Sequence, residues 1–406
     1  MRIAIFSDNF YPEISGISDS IIALSKELVK RGHYVDFYVP YYSKKDYAAA
    51  GLQKKEIDLG KNVRIIRFFS IPYKSGTGQG RFVIPVGWYA FNMLRRPPDV
   101  IHTQLFFGVG LEAIFAARLL KKPVIGTNHT RLKEFTRYSP IKASWFYNLL
   151  FKYMNWYYER CELVTAPARS VIDEMVGAGF KMGYKKLGAQ VVPNPIDIKI
   201  FNLVSLSQKN QWKKELDLLG PTIIYAGRFA LEKRLDVMIE AFSIARKKIP
   251  SAILVLAGRG IIKDDLVEQA KKLGVYEAVK FVGVKSKAEL VKYYGASDIF
   301  ALSSTSEVQS ITMLETMACG LPTVGVDVPG ISEHVNESNG RLAKSNDPES
   351  LAEKMILFLE NPYLQKQIGD GAVAFSKNFS VENVATSWLS FYEETIKRYK
   401  ERNKIK

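Results

Sequence analysis

The stretch EVQSITMLETMACGLPTV, from Glu307 to Val324, decides the fold and carries much of the functional information. Its periodicity predicts a helix over 311–318, and the small residues and Leu-Pro pair that follow lead into a strand over 323–326. Glu307 precedes this helix, and Glu315 lies inside it, eight positions later. The loop between them meets the N-terminal end of the helix, where free N–H groups and the helix dipole favour an anion. The spacing therefore predicts an anion site flanked by two carboxylates.

Such a site suits a sugar nucleotide. Glu315 is expected to hold a ribose diol, and Glu307 is expected to reach the hydroxyls of the sugar beyond the phosphates. The phosphate itself is assigned to the backbone amides of Gln309, Ser310, Ile311 and Thr312. The alternative is an amphipathic helix with two chance glutamates, and on this pair alone both interpretations stay open.

A second motif supplies cations for the same ligand. The segment YAGRFALEK, residues 225–233, places Arg228 just after a predicted strand and Lys233 near the start of the next helix. Two cations five residues apart on a strand-to-helix turn can point at one diphosphate, the Arg as a fork and the Lys as a point charge. Either residue alone would be interpreted as a surface cation, but together with the two glutamates they indicate a diphosphate site.

Strands alternate with helices in both halves of the chain, the pattern of parallel-sheet domains. In the first half the pattern predicts helices over 18–31 and 109–120, and strands over 3–6, 34–39, 63–66, 100–102, 124–127, 163–166 and 190–192. In the second half it predicts helices near 233–248, 262–273, 287–295 and 311–318 and over most of 348–401, and strands over 222–226, 252–257, 279–282, 299–302 and 323–326.

The segment VPNPID, residues 192–197, breaks both periods and predicts a connection between domains. We therefore expect an α/β protein with two Rossmann-like domains, residues 1–195 and 196–380, that face a central cleft. A last helix within 381–406 is expected to cross back to the first domain. Loops at the carboxyl ends of parallel strands line ligand sites in such proteins.

Composition limits the class of protein. A chain of 406 residues with 47% hydrophobic residues is globular and long enough for two or three domains. Its two cysteines, Cys161 and Cys319, cannot form a disulfide framework, which favours a reducing cytoplasm. The N-terminal apolar run is too short for a signal peptide, and the stretch Leu105–Leu120 contains charges and is too short to span a bilayer.

Positive charge is concentrated in the first half. Residues 1–195 hold 28 Lys and Arg against 15 Asp and Glu, whereas residues 196–406 hold 29 against 26. Such a field attracts anionic lipid or nucleic acid, or it is a solvated surface excess. Segments 81–96 and 144–158 combine aromatic residues with Lys and Arg, as membrane-surface segments do, although 144–158 is equally typical of a core helix. Because no nucleic-acid-binding motif is present, we expect a lipid partner and no nucleic acid.

Four motifs together resemble the retaining glycosyltransferases of family 4. They are Glu-x7-Glu at 307–315, Gly-Arg-x4-Lys at 227–233, Tyr-Pro-x3-Gly at 11–16, and Thr-x-His-Thr at 127–130. The last motif is similar to that of the lipid-directed branch, which includes diacylglycerol glucosyltransferases and phosphatidylinositol mannosyltransferases. The resemblance covers nearly the whole chain and implies the GT-B fold, with an acceptor-binding N-terminal domain and a donor-binding C-terminal domain.

The resemblance also implies roles for residues outside the two glutamates and two cations. His129 would line the sugar pocket at the reaction centre, and Gly16 would let the backbone approach a phosphate or sugar. Backbone groups near Val284 would read the base. No acidic residue lies close by in the sequence to pair with the amino edge of guanine, which favours UDP over GDP.

These expectations combine into one function. The chain is expected to move a hexose, glucose or galactose, from its UDP form onto a membrane lipid such as diacylglycerol, while bound peripherally to the inner face of the cell membrane. For retention, Glu307 is a candidate nucleophile, but we favour same-face attack, with Arg228 and Lys233 stabilising the leaving diphosphate. With no Asp-x-Asp in the chain, neither a metal nor another cofactor is expected. The alternatives are a GDP-mannose enzyme acting on phosphatidylinositol or a soluble glycan, and a non-catalytic sugar-nucleotide or membrane-surface binding protein.

Overall fold

The computed structural model describes residues 1–13, 15–73, 80–132, 144–181 and 186–404. Ile14, in the predicted ligand loop at 11–16, lies outside them. The contacts divide the chain into two units, Met1–Pro195 together with Val381–Lys406, and Ile196–Ser380. Each unit contains one parallel sheet with helices, so the predicted fold class is confirmed.

The first unit is built on a seven-stranded parallel sheet with the strand order β3-β2-β1-β6-β7-β8-β9. Its central strands are mostly apolar and their side chains are buried, as a sheet covered on both faces requires. The strands are β1 Arg2–Phe6, β2 Tyr34–Pro40, β3 Val63–Phe68, β6 Val100–Thr103, β7 Val124–Thr127, β8 Leu163–Ala166 and β9 Gly188–Val191. A separate antiparallel pair is formed by β4 Ile71–Pro72 and β5 Arg81–Phe82.

Helices connect these strands and cover the sheet. They are Gly16–Lys30, Lys44–Ala49, Trp88–Met93, Gly108–Leu120, Ser144–Tyr158, Arg169–Gly177 and Val381–Lys404. The first ends before Gly32, whose φ of 85° is a left-handed conformation that glycine adopts without strain.

The C-terminal helix Val381–Lys404 belongs to the first unit and packs against helix Gly16–Lys30. Its Trp388 and Tyr392 are buried in the same apolar cluster as Leu24. Polar contacts add to this packing, because the guanidinium of Arg31 donates to the hydroxyl of Thr386 and to the carbonyl of Glu382 at 2.8 and 2.7 Å. The helix therefore forms part of the layer that covers one face of the first sheet.

The second unit has a six-stranded parallel sheet with the order β12-β11-β10-β13-β14-β15. Its strands are β10 Thr222–Ala226, β11 Ile253–Ala257, β12 Val279–Gly283, β13 Ile299–Leu302, β14 Thr323–Val326 and β15 Gly340–Ala343. Its helices are Leu206–Glu215, Leu235–Lys248, Lys263–Lys272, Lys287–Ala296, Ile311–Ala318, Pro348–Leu359 and Pro362–Ser376.

Strand order reverses once in each sheet, and this fixes where ligand-binding loops meet. In the first sheet the reversal lies between β1 and β6, and in the second it lies between β10 and β13. Loops that leave the carboxyl ends of such neighbouring strands diverge and open a crevice, where α/β proteins bind ligands. Arg228 follows β10, and Glu307 follows β13, so both leave the switch point of the second sheet.

Several elements differ from the sequence-based predictions. Lys233 does not begin the next helix; it ends a 3₁₀ turn, Leu231–Lys233, because Arg234 adopts a left-handed φ of 50° before the helix starts at Leu235. Segment 81–96, for which no helix or strand was predicted, contains a short strand and a short helix. The last strand of the first sheet begins two residues earlier than predicted, at Gly188, and β15 was not predicted.

Within the described residues, no helix combines the length and apolarity needed to cross a membrane.

Candidate active site

Lys233 and Glu307 come together at the switch point of the second sheet. Lys233 Nζ donates to Glu307 Oε1 at 2.6 Å, and both side chains are largely buried, at 14% and 12% exposed. The two residues are 74 positions apart in sequence. The structure therefore joins the cation of one predicted motif to the first carboxylate of the other.

Hydroxyl residues at the end of β13 hold Lys233 in place. Ser303 Oγ donates to the carbonyl of Lys233 at 2.9 Å, and Ser304 Oγ donates to the carbonyl of Glu232 at 3.2 Å. The backbone N–H of Thr305 donates to the same Glu232 carbonyl at 3.0 Å. Sequence reasoning missed these residues, although a run of Ser and Thr at a carboxyl end next to β10 is a signal that could have found them.

Arg228 lies on the same loop with a more exposed side chain, 46% exposed. Its Nη2 donates to Glu232 Oε1 at 3.2 Å, and its carbonyl accepts from the hydroxyl of Tyr225 at 3.0 Å. Burial raises the pKa of Tyr225 well above its usual value, so this phenol stays protonated and remains a donor. Both predicted cations thus have carboxylate neighbours and lie on one rigid turn.

The start of helix Ile311–Ala318 forms the neighbouring part of this region. Ser310 is the N-cap residue, and its hydroxyl accepts from the N–H of Met313 at 3.3 Å. The hydroxyls of Ser310 and Thr312 are 3.1 Å apart, and Ile311 is the first helical residue. The first N–H groups of a helix have no partner within the helix, so the amides of Ile311 and Thr312 are the groups that an anion at this end would meet. Glu315 is buried one turn further along.

Gln309 is buried and anchors the loop before that helix. Its Nε2 donates to Nε2 of His334 at 3.0 Å, and the other ring nitrogen of His334 donates to the carbonyl of Gly330 at 3.2 Å. Burial lowers the pKa of His334, which keeps the ring neutral and allows Nε2 to accept. A β-carbon at Gly330 would lie 2.1 Å from the carbonyl oxygen of Glu307, so glycine permits this close approach. His334 was not among the predicted residues.

Val284 lies apart from these residues along the sheet edge. It follows β12, the edge strand, and its side chain is 46% exposed. The strands β11 and β10 separate it from the loop that carries Glu307. The structure therefore places Val284 on the same carboxyl edge but does not bring its side chain against the cations or the helix start.

The first unit carries the other predicted residues. His129 follows β7 and lies in a turn in which Oδ1 of Asn128 accepts from the N–H of Thr130 at 3.0 Å. His129 Nε2 is 2.8 Å from Oε1 of Gln104, a residue that directly follows β6 and that sequence reasoning missed. Gly16 is the first residue of its helix, after an extended Ser15 whose side chain makes no capping bond.

Burial lowers the pKa of His129 to about 3, so the ring is neutral near pH 7. A neutral imidazole offers one donor and one acceptor and can bind a hydroxyl, but it cannot supply a positive charge to a phosphate.

In the described residues, no group of three or more His, Cys, Asp and Glu side chains is arranged to hold a metal ion.

Comparison with known protein families agrees with this arrangement. A family model described as Glycosyltransferase Family 4 matches residues 14–200, and one described as Glycosyl transferases group 1 matches residues 207–374. Between them the two matches cover most of the chain. The chain belongs to this glycosyltransferase family. The enzyme is therefore a glycosyltransferase with two Rossmann-like domains, as the motifs predicted.

Two relatives resemble the enzyme over most or all of its length. The alpha-monoglucosyldiacylglycerol synthase of Streptococcus pneumoniae is 29% identical over 343 residues, which are 83% of this chain and 74% of that protein. The protein of the same name from Acholeplasma laidlawii is 28% identical over 420 residues and the whole of both chains. The predicted resemblance to the lipid-directed branch is confirmed by these relatives.

Solved structures share the fold. HepE of Anabaena, solved in complex with UDP, covers 97% of this chain and 100% of its own with a TM-score of 0.77 and 18% identity. WaaG, a glycosyltransferase involved in lipopolysaccharide biosynthesis, covers 96% of this chain and 99% of its own with a TM-score of 0.69 and 14% identity. At these identities the likeness concerns the fold alone.

Proposed function

We propose that the enzyme transfers glucose from UDP-glucose to diacylglycerol at an anionic membrane surface, with retention of the anomeric configuration and without a metal ion. The observation that carries the donor half of this proposal is the Lys233–Glu307 pair at 2.6 Å, held at the switch point of the second sheet. The acceptor half is supported by the names of the two relatives that match most or all of the chain.

The donor would bind through its diphosphate to the second unit. Lys233 and Arg228 would neutralise the phosphate oxygens, and the amides of Ile311 and Thr312 would donate to them. Glu315 would accept from the ribose hydroxyls and Glu307 from hydroxyls of the sugar. Lys233 contacts Glu307, so one donor molecule could bind Lys233 through its phosphate and Glu307 through its sugar.

Transfer would proceed by attack on the same face of the sugar from which UDP leaves. The leaving diphosphate would accept the proton of the acceptor hydroxyl, while Lys233 and Arg228 stabilise the charge that develops on it. His129, neutral near pH 7, would hold a sugar hydroxyl and not a phosphate. Glu307 is ion-paired with Lys233, which favours a positioning role over a covalent one.

An apolar patch on the first unit supports lipid as the acceptor. Helix Trp88–Met93 packs against helix Gly108–Leu120, and a β-carbon at Gly87 would lie 2.7 Å from the ring of Phe115, so the two elements form one surface. The antiparallel pair of β4 and β5 lies next to these helices, because a β-carbon at Gly108 would meet the carbonyl of Val83, and it places Ile71 opposite Phe82. The exposed side chains of the patch are Phe69, Ile71, Phe82, Val86, Phe91, Leu94 and Phe115.

The positive charge around the patch favours an anionic membrane. Arg95, Arg96 and Arg118 are exposed beside the patch, and residues 1–195 carry an excess of 13 positive charges. An apolar patch with basic flanks binds the surface of an anionic bilayer. Helix Ser144–Tyr158 has a buried face with the core residues Met154, Tyr157 and Tyr158 and an exposed face with Trp145, Leu149 and Trp156, which could add to membrane binding. We propose that the enzyme acts from the cytoplasmic face of the cell membrane.

A donor and acceptor panel tests the function. The purified full chain is incubated with UDP-glucose, UDP-galactose and GDP-mannose, each with vesicles containing diacylglycerol or phosphatidylinositol and with added EDTA. The expected result is glucolipid formation from UDP-glucose and diacylglycerol that EDTA does not reduce, with an α-linkage in the product. Turnover restricted to GDP-mannose and phosphatidylinositol, or donor binding without any turnover, would overturn the proposal.

Membrane binding has a separate test. The double variant Phe91→Ser with Leu94→Ser should bind phosphatidylglycerol vesicles about tenfold less tightly, since it removes two side chains that would enter the bilayer surface. Tyr363→Ser is the matched control, because Tyr363 is 81% exposed on the second unit and should leave binding unchanged. Equal binding of the double variant and the control would contradict the assignment of the patch.

A further inference from the structure

A buried row of polar side chains connects the C-terminal helix to His129. The hydroxyl of Tyr392 is 2.8 Å from Nδ1 of His102, and Nε2 of His102 is 3.1 Å from Nε2 of Gln104. Gln104 then meets Nε2 of His129 with its Oε1 at 2.8 Å. The four residues come from the C-terminal helix, from β6, from the loop after β6 and from the loop after β7.

The row is rigid because it is enclosed. Tyr392, His102 and Gln104 are all buried, with at most 2% of each residue exposed. The ring of Trp388 packs against His102 with 4.3 Å between ring centroids, and Thr127 Oγ1 is 2.7 Å from Nε2 of the same histidine. His129, at the end of the row, lines a small cavity together with Ser20 and Asn194.

The hydrogen-bonding groups fix where each proton lies. Burial lowers the pKa of both His102 and His129 to about 3, so each ring carries one N–H near pH 7. The carbonyl oxygen of Gln104 can only accept, and therefore Nε2 of His129 is the protonated nitrogen. Nδ1 of His129 keeps its lone pair, and it has no hydrogen-bond partner in the part of the chain that the structure describes.

We propose that Gln104 is a positioning residue of the transfer reaction. It accepts the Nε2 hydrogen of His129 and thereby leaves Nδ1 as the acceptor for a hydroxyl of the transferred sugar. His102 and Tyr392 hold the amide of Gln104 from behind, which makes the C-terminal helix a support of the reaction centre. The inference rests on the proposed function, in which His129 binds the sugar.

Variants of Gln104 separate positioning from packing. Gln104→Leu keeps the approximate volume and removes the acceptor, and we expect kcat to fall about thirtyfold with donor KM changed less than about threefold. Gln104→Glu keeps an acceptor oxygen and should recover most of the activity at high pH. Its carboxylate favours protonation of His129, so the turnover of this variant should fall as the pH drops through the neutral range, which the wild type does not show.

A tyrosine pair supplies the control for the far end of the row. Tyr392→Phe should lower kcat about threefold to fivefold, because it removes the hydroxyl behind His102 but keeps the ring. Tyr294→Phe is matched to it: Tyr294 is also fully buried, but its hydroxyl has no partner among the described residues, so kcat should not change. Thermal unfolding of each variant confirms that it is folded.

The tautomer of His129 gives a readout that does not depend on turnover. In ¹⁵N-labelled protein the wild type should show the Nε2–H form of His129, and Gln104→Leu should show a mixture of both tautomers. An unchanged tautomer in Gln104→Leu, or a kcat within threefold of the wild type, would overturn the inference. Absence of transfer by the wild type with every donor and acceptor would overturn the proposed function instead, and the spectra would still test Gln104.

Discussion

The candidate residues of the two units differ in their electrostatics. In the first unit, His129 and His102 are kept neutral by burial and joined by hydrogen bonds to uncharged groups. In the second unit, Lys233 and Arg228 contact carboxylates at 2.6 and 3.2 Å, so the region is made of ion pairs. A neutral cluster can bind hydroxyls and repels no ligand charge, whereas an ion-paired cluster can exchange a carboxylate for a phosphate.

The clusters differ in the ligand groups that each can bind. The ion-paired cluster of the second unit suits a charged diphosphate, and the neutral histidine of the first unit suits uncharged hydroxyls. The internal ion pairs also have a consequence for the ligand-free protein, because a partly buried Lys without a partner would be costly. Glu307 stabilises Lys233 in the ligand-free protein, and on the proposed function a diphosphate would replace it, so that Glu307 could turn to the sugar.

Removal of a cation should have the largest effect. Lys233→Ala should lower kcat/KM by roughly a hundredfold to a thousandfold, since it removes charge stabilisation of the leaving diphosphate and leaves Glu307 unpaired. Steady-state kinetics with the donor identified by the panel measure the loss. Lys280→Ala is the matched control, because Lys280 pairs with Asp217 in the same unit, away from the switch point, and should change kcat/KM less than about twofold. A similar loss in both variants would remove the contrast between the two clusters.

The neutral character of the first unit should be visible in its pH dependence. Burial raises the pKa of Asp8, at the end of β1, to about 7, so the folded state holds a proton that the unfolded chain releases above about pH 4. Asp8 therefore stabilises the fold fully below pH 4, and this stability is lost as the pH rises to 7. His102 and His129 act in the opposite direction: their stabilisation is full above pH 6.5 and is lost as the pH falls towards 3.

Asp8→Asn isolates one of these two contributions. The variant keeps an oxygen to accept from the N–H of Val109, a bond of 2.9 Å in the wild type, but it cannot ionise. Relative to the wild type, the free energy of unfolding of this variant should rise by roughly 3 kcal/mol between pH 4 and pH 7 and by little more above pH 7. Urea unfolding at several pH values checks this, and a difference that does not change with pH would show that Asp8 is ionised in the folded protein.

Elements that depend on local sequence were predicted well, whereas residues whose contacts are with distant parts of the chain were missed. Strands β7, β8, β10, β13 and β14 were predicted to the residue because their apolar runs are bounded by turn residues. The turn at Lys233 was not, because the left-handed Arg234 depends on tertiary contacts and is not a glycine. Gln104, His102 and His334 were missed for the same reason: each has a hydrogen-bond partner that lies 25 residues away or more. Motif spacing predicted the groups that would touch a ligand, whereas the contacts that hold these groups follow from the folded chain.

Glu315 offers a smaller and more selective effect. Glu315→Gln keeps the shape of the side chain but removes its charge, so hydrogen bonds to a ribose diol become weaker. We expect donor KM to rise about tenfold while kcat changes less than about threefold, the mark of lost ground-state binding. Glu353→Gln, an exposed carboxylate on helix Pro348–Leu359, is the control and should leave KM unchanged. A fall in kcat with constant KM would place Glu315 in the chemical step instead.

The smallest effect is expected for Gln309 and His334, a neutral hydrogen-bonded pair in the second unit. Gln309→Leu leaves Nε2 of His334 buried without its 3.0 Å partner, which should cost about 1 kcal/mol of stability and raise donor KM about threefold by loosening the loop. The double variant Gln309→Leu with His334→Leu replaces both partners by apolar groups, so it should recover most of the stability. It should not recover KM, because the hydrogen bond from His334 to the carbonyl of Gly330, which fixes the loop at Glu307, is lost as well. A double-mutant cycle with both readouts therefore separates the loop's stability from its shape: recovery of both would mean that packing alone sets the position of Glu307.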